Sequence, residues 1–408
     1  MILAPLEGTK TVTILMLFGT GSKYESLASN GLSHFLEHMF FKGTAKRPRA
    51  IKISSELDTI GCEYNAFTAK EYTGYWIKVD SAKADIAFDI LSDMLLNSKF
   101  SPAEIEREKG VIIEEINMYH DNPVMYIEDV FEKCLYGDTP AGREIAGPKE
   151  NIRKFKRQDF LNYFSSQYGV NSGVLCLAGR IDQRSEALAE KYFGKFRRTD
   201  FKDKLGTPEA QSEPQIKIHV KDGDQVNLSL GVRTGNTYHP DRFILRVLSV
   251  VLGGSMSSRL FTEIREKRGL AYFIQTQTEF YTDTGYLTTR AGVPEEKTEE
   301  AIKTILVEYR RLKNRLVSES ELRRAKDLIR GRTIIGFEES DAVANWLGRQ
   351  AVLKEKLMSA DEFFARIEAV KAEDLRRAAR DIFRNEKLNL ALIGPFRNYD
   401  PFRKILKL

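Results

Sequence analysis

The sequence VTILMLFGTG at residues 12–21 returns in a related form, VNLSLGVRTG, at residues 226–235. In both stretches apolar residues alternate with others before a Thr-Gly pair, which is typical of a half-buried β-strand that ends in a turn. The second stretch begins just past the midpoint of a chain of 408 residues. This spacing suggests that the chain contains one structural unit twice.

Three further pairs of segments recur in the same order and at nearly the same separation. They are YTGYW (72–76) with DTGYL (283–287), SPAE (101–104) with SESE (318–321), and GVLCLAG (173–179) with LNLALIG (388–394). The Ser-x-x-Glu pair is a helix capping box. Each unit is predicted to run strand, helix, helix, two strands, several helices and a last strand. Strands and helices grouped in this way indicate an α+β fold with two homologous α/β-roll units, each an antiparallel sheet packed with helices.

The predicted domains are residues 1–198, a linker at 199–215 that contains Gly206, Pro208, Ser212 and Pro214, and residues 216–408. A hairpin and three long helices can also be placed from the pattern of apolar residues. The hairpin covers 61–68 and 72–79, and the helices cover 82–97, 102–121 and 296–316.

Composition excludes several classes of protein. The net charge is +5, and the basic residues near Arg376 alternate with acidic ones, so we expect no nucleic-acid partner. No apolar window is long enough for a membrane span, and the N-terminus lacks the pattern of a secretory leader. The three cysteines, Cys62, Cys134 and Cys176, are far apart and odd in number. They are expected to be free thiols in a reducing compartment, so we predict a cytoplasmic protein without membrane partners.

A metal-binding pattern occurs at residues 34–38, which read His-Phe-Leu-Glu-His within a helical segment from Asn30 to Phe41. His34 and His38 are one helical turn apart and share a face, so both imidazoles can bind one zinc ion. Glu37 lies beside the same face and is not needed as a ligand. It is therefore the candidate general base for a hydrolytic water.

A third ligand is expected because catalytic zinc sites use three protein ligands and keep one position open. Glu108 and Glu115 lie two turns apart on one face of the helix predicted at 102–121. This spacing suits Glu115 as the ligand and Glu108 as a carboxylate that orients a ligand. Glu114 is the less favoured alternative.

The second unit lacks these residues at the matching positions. His34 and His38 correspond to Leu248 and Leu252. Glu108 and Glu115 correspond to Ala325 and Arg332. One zinc ion per chain is therefore expected, and the second unit must have another role.

The stretch GLSHFLEHMFFKGT at 31–44 closely resembles the inverted zinc-motif (HxxEH) peptidases, a family that includes pitrilysin, insulin-degrading enzyme and the mitochondrial processing peptidase. The resemblance extends over nearly the whole chain, through NAFT at 65–68 and GGSMSSRLFTEIREKRGLAY at 253–272. It implies a short two-domain member of bacterial type. The implied activity is that of a zinc metalloendopeptidase which cleaves unfolded peptides, bound as an edge strand in a closed chamber.

The resemblance also implies roles for residues that spacing alone does not single out. It assigns substrate binding to Asn65 and the backbone of Ala66. It assigns Arg265 and Tyr272 to the binding of substrate carbonyls and the tetrahedral intermediate. In long family members the zinc motif and the Arg/Tyr signature lie in different units that close over the peptide. For a two-unit chain this implies a homodimer whose sites are completed in trans.

Two other functions fit the same fold. One is a non-catalytic core or scaffold subunit, which the presence of His34, His38, Glu37 and Glu115 disfavours. The other is a presequence-processing peptidase, which has the same chemistry and a role in protein import.

Overall fold

The computed structural model describes residues Met1–Leu408 and contains two five-stranded sheets. The strands of the first sheet are β1 (Ile2–Pro5), β2 (Thr11–Phe18), β3 (Glu63–Thr68), β4 (Thr73–Asp80) and β5 (Gly173–Gly179). Those of the second are β6 (Gln215–Val220), β7 (Val226–Thr234), β8 (Phe273–Phe280), β9 (Gly285–Val293) and β10 (Leu388–Gly394).

Fifteen α-helices accompany the sheets. The first eight are α1 (Leu32–Met39), α2 (Ala50–Ile60), α3 (Ala84–Asn97), α4 (Pro102–Asp121), α5 (Pro123–Tyr136), α6 (Lys149–Lys154), α7 (Arg157–Gln167) and α8 (Gln183–Phe193). The others are α9 (Arg242–Gly253), α10 (Thr298–Asn314), α11 (Glu319–Gly336), α12 (Ser340–Val352), α13 (Ala360–Glu368), α14 (Ala372–Ile382) and α15 (Asp400–Ile405). No helix is both long enough and apolar enough to cross a bilayer.

The two sheets have the same topology, which confirms the duplicated α+β architecture. The strand orders are β1-β5-β2-β4-β3 and β6-β10-β7-β9-β8. Each sheet is mixed rather than wholly antiparallel, because β1 pairs in parallel with β5, and β6 with β10. These edge pairs join strands distant in sequence, and a distant connection permits parallel pairing where a short hairpin does not.

The compact units do not follow the two consecutive segments predicted from the repeat. One unit contains 1–117, 143–205 and 334–358, and the other contains 118–142, 206–333 and 359–408. Helix α5 therefore belongs to the second unit and α12 to the first. The domain ranges 1–198 and 216–408, with the linker at 199–215, stay a prediction.

Helix α12 changes the environment of the first sheet. Strand β2 was expected to be half-buried, but residues 12–18 are buried on both faces. Val12, Ile14 and Met16 face the main helical core, whereas Leu15 and Leu17 pack against α12. Gly348 allows this close packing, because a Cβ there would lie 2.5 Å from Leu17 Cδ1.

Candidate active site

The helix that carries the histidines is fixed at its N-terminus by a buried carboxylate. Glu25 accepts hydrogen bonds from the backbone N–H groups of Gly31 (2.9 Å) and Ser33 (2.6 Å) and from Asn30 Nδ2 (3.0 Å). The first N–H groups of a helix have no partners within it, and the Glu25 carboxyl satisfies two of them, although burial raises its pKa. Gly31 has φ +102°, and a Cβ at this position would approach Ala146 O to 2.5 Å. These contacts set the position of α1.

His34, His38 and Glu115 converge at one point. The two imidazole rings are 4.8 Å apart between centroids. Glu115 Oε1 lies 3.5 Å from His34 Nε2, and its Oε2 lies 3.4 Å from His38 Nε2. One donor atom from each residue falls within 4.8 Å of the others. Two imidazoles and one carboxylate are a usual donor set for catalytic zinc, so these residues fit the metal.

The ionisation of these groups makes metal binding depend on pH. The pKa of Glu115 lies well below its usual range, because His34 and then His38 form hydrogen bonds with its carboxylate. Burial lowers the pKa of His38, but the hydrogen bonds with Glu108 and Glu115 outweigh burial and raise it to about 9. Protons therefore compete with a metal for this site, and acid should favour metal release.

Glu108 orients His38. Its Oε1 is 2.9 Å from His38 Nδ1, which leaves Nε2 of the ring to face Glu115. Glu108 Oε2 is 2.6 Å from Lys42 Nζ, and the Glu108 side chain is only 3% exposed. Burial raises the pKa of Glu108, but His38 and Lys42 together lower it. Lys42 was not predicted from the sequence, although its position four residues after His38 is a signal that could have identified it.

Glu37 is held by the edge strand of the first sheet. Thr68 Oγ1 donates a hydrogen bond of 2.6 Å to Glu37 Oε2. Thr68 is the last residue of β3, and the outer edge of this strand has no partner strand. Asn65 and Ala66 lie on the same strand, where Asn65 Oδ1 accepts from Ala66 N at 2.8 Å. The candidate base and the candidate substrate-binding strand are thus directly connected. Thr68 lies within the quoted NAFT segment, but its role was not predicted.

Glu114 has a different environment from Glu115. Its side chain is exposed, and its Oε1 accepts a hydrogen bond from Asn117 Nδ2 at 3.3 Å. It is absent from the group formed by the two histidines and Glu115. The geometry therefore favours Glu115 as the third ligand.

Arg265 and Tyr272 lie together in the second unit. Arg265 belongs to a π-helical turn, Phe261–Glu266, and its guanidinium carbon is 5.4 Å from the centroid of the Tyr272 ring. Tyr272 precedes β8 and is 75% exposed. The structure brings these two predicted residues together, and both belong to a different unit from the histidines.

Similarity to known protein families extends over both halves of the chain. Residues 1–149 match Insulinase (Peptidase family M16), and residues 154–329 match the Peptidase M16 inactive domain. An uncharacterized zinc protease of Bacillus subtilis, YmxG, is 36% identical over 95% of this chain and 94% of its own length. The chain belongs to peptidase family M16. An uncharacterized zinc protease of Streptomyces coelicolor is 31% identical over 96% of this chain and 87% of its own length.

Solved structures share this fold. A protease from Helicobacter pylori superimposes with a TM-score of 0.90 at 22% identity and covers 96% of each chain. A chain of complex III2 from Candida albicans gives a TM-score of 0.83 at 17% identity, with 100% of this chain and 97% of that chain covered. At these identities the likeness concerns the fold alone.

The third ligand of this M16 chain can be tested with two neighbouring glutamates. Glu115→Gln is expected to weaken zinc binding at least tenfold, because it removes the carboxylate charge between the two imidazoles. Glu114→Gln is the matched control and should bind zinc as the wild type does. Zinc content after dialysis against graded chelator measures both. Equal losses, or a greater loss in Glu114→Gln, would assign the ligand to Glu114.

Proposed function

We propose that this chain is a zinc metalloendopeptidase that hydrolyses unfolded peptides and holds one Zn²⁺ per chain. The convergence of His34, His38 and Glu115 beside Glu37 carries the proposal. Support also comes from the curated M16 relatives, which are named zinc proteases. The free state of all three cysteines supports a reducing compartment, and we propose the cytoplasm as the location.

Zinc, when bound, would polarise the scissile carbonyl and lower the pKa of its water toward about 7. Glu37 would accept the proton of the attacking water and then donate it to the leaving amine. Thr68 holds one oxygen of Glu37, so the other oxygen is left for this transfer. Glu108 keeps His38 in the required tautomer through Nδ1.

The substrate would bind as an additional strand along β3. The free edge of this strand offers backbone N–H and C=O groups, which an extended peptide can pair with regardless of its side chains. Asn65 and Ala66 would contact the residues beside the scissile bond. A folded protein cannot present such a strand, so we propose unfolded peptides enclosed in a chamber as substrates.

Zinc analysis and a quenched peptide substrate together test this function. The purified chain should contain one zinc ion per chain and cleave the peptide, and a chelator should abolish cleavage until zinc is restored. A protein that binds no zinc and cleaves nothing would be a scaffold subunit instead. Cleavage confined to presequence-like peptides would indicate a processing peptidase.

Arg265 and Tyr272 are proposed to act in trans within a two-fold symmetric homodimer, the commonest oligomer class. They would bind substrate carbonyls and stabilise the oxyanion at the zinc site of the partner. The exposure of Tyr272 and its contact with Arg265 leave both side chains able to meet a peptide.

Subunit exchange tests the trans arrangement. Glu37→Gln and Tyr272→Phe are each expected to be nearly inactive. Mixed dimers should regain about one active site, because one of their two sites combines an intact Glu37 with an intact Tyr272. Exchange is verified with two affinity tags. A mixture that exchanges subunits but stays inactive would rule out completion in trans, and a fully active monomer would rule out the dimer.

A further inference from the structure

The first unit contains a cavity, and no residue of the candidate active site lines it. This cavity of about 820 Å³ is open to solvent. Its walls come from α3, the end of α7, and residues 191–199 at and after the end of α8. The volume is within the range of about 300–1,000 Å³ that is usual for small-molecule sites.

The charge of the cavity is positive. Lys195, Arg197 and Arg198 line it, all three are exposed, and their cationic groups form no ion pair. The two acids in the lining, Asp89 and Asp93, do not neutralise them. Asp89 and Asp93 accept instead from the buried Arg47, at 2.6 and 2.8 Å. Three unpaired cations beside two neutralised acids favour an anionic ligand.

The interior of the cavity is partly apolar. Half-buried Leu96, Phe164 and Phe196 line it together with the buried Tyr168. The ring of Phe164 lies 5.6 Å from that of Tyr168 between centroids. A simple inorganic anion would leave this apolar surface in water. A ligand with both an anionic group and an apolar body would bury it.

We propose that this cavity binds a small amphipathic anion, an organic carboxylate or phosphate with an apolar body. The anionic group contacts Lys195, Arg197 and Arg198, and the body packs on Phe164, Phe196 and Leu96. Tyr168 in the cavity wall packs against Phe40 at the end of α1, with ring centroids 5.7 Å apart. The cavity therefore forms only when the first unit is folded. A ligand that binds only the folded state raises the melting temperature.

The probe for the test is 1-anilinonaphthalene-8-sulfonate, whose fluorescence rises in apolar sites, added to the full zinc-loaded chain. The variant Lys195→Gln/Arg197→Gln/Arg198→Gln should raise its Kd at least tenfold and remove the increase in melting temperature. The matched control, Arg153→Gln/Lys154→Gln/Lys156→Gln, removes three exposed cations that do not line the cavity. It should bind the probe like the wild type.

Competition identifies the ligand class. Decanoate or naphthyl phosphate should displace the probe, and whichever is stronger distinguishes a carboxylate from a phosphate ligand. Neutral N-phenyl-1-naphthylamine should bind at least tenfold more weakly than the sulfonate. Equal Kd values for the two triple variants, equal binding of the neutral analogue, or displacement by inorganic phosphate as effective as by naphthyl phosphate would each overturn the proposal. The measurements need no peptidase activity, so they stand apart from the proposed function.

Discussion

Replacing Glu37 with glutamine is expected to lower kcat/KM for a peptide substrate by about 10²- to 10⁴-fold, the usual contribution of a general base. Glutamine has the same shape and can still accept the hydrogen bond from Thr68, but it cannot take a proton from water. His34, His38 and Glu115 are unchanged, so zinc content should remain at one ion per chain. Steady-state kinetics and metal analysis on the same preparation measure both quantities.

The control for this substitution is Glu114→Gln, which removes an exposed carboxylate outside the metal-binding group. It should retain full activity. If Glu37→Gln loses its zinc, Glu37 is a ligand and the assignment is wrong. If Glu37→Gln keeps near-normal turnover, another group accepts the proton.

Expressing residues 1–205 alone is expected to give an aggregated protein without a cooperative thermal transition. This fragment lacks α12, which covers one face of the first sheet. Leu15, Leu17 and Cys176 on that face are at most 1% exposed in the complete chain. Each large apolar side chain left in water costs about 1.5–3 kcal/mol, and total stabilities are only about 5–15 kcal/mol. Loss of several such contacts is therefore enough to unfold the fragment.

The matched control protein joins residues 334–358 to the end of the same fragment through a long flexible linker. It restores α12 and should recover a cooperative transition, although the apolar face of α5, which packs on the second sheet in the complete chain, still lacks its partner. Size-exclusion chromatography and thermal circular dichroism compare the two. A monomeric 1–205 fragment with the same melting temperature as the control protein would show that α12 is dispensable.

Local spacing in the sequence predicted the parts of the site that lie on single helices. His34 with His38, and Glu108 with Glu115, each follow from the helical repeat, and the structure brings all four together. Glu25, Lys42 and Thr68 were missed. Glu25 and Thr68 form hydrogen bonds with residues of α1 from outside that helix. The spacing of residues within one helix or strand does not predict such contacts.

Features of the fold that depend on local sequence order could also be predicted. The repeated strand–helix order established the α+β units and the hairpin of β3 and β4. An apolar pattern shows that a face is buried but not which element covers it. It therefore does not predict that α5 packs on the second sheet and α12 on the first. The parallel edge pairs are β1 with β5 and β6 with β10. Each joins the first and last strands of its sheet along the chain, and local sequence patterns do not identify partners that are so far apart.

Helices α5 and α12 occupy equivalent places in the two repeats, and each packs on the sheet formed mainly by the other repeat. This reciprocal connectivity is that of a domain-swapped dimer whose two subunits have become one polypeptide. A single repeat on its own would lack the helix that covers its sheet, so each repeat depends on the other for a complete core. One repeat supplies every residue of the metal-binding group, so the matching positions of the other, Leu248, Leu252, Ala325 and Arg332, are free of that constraint.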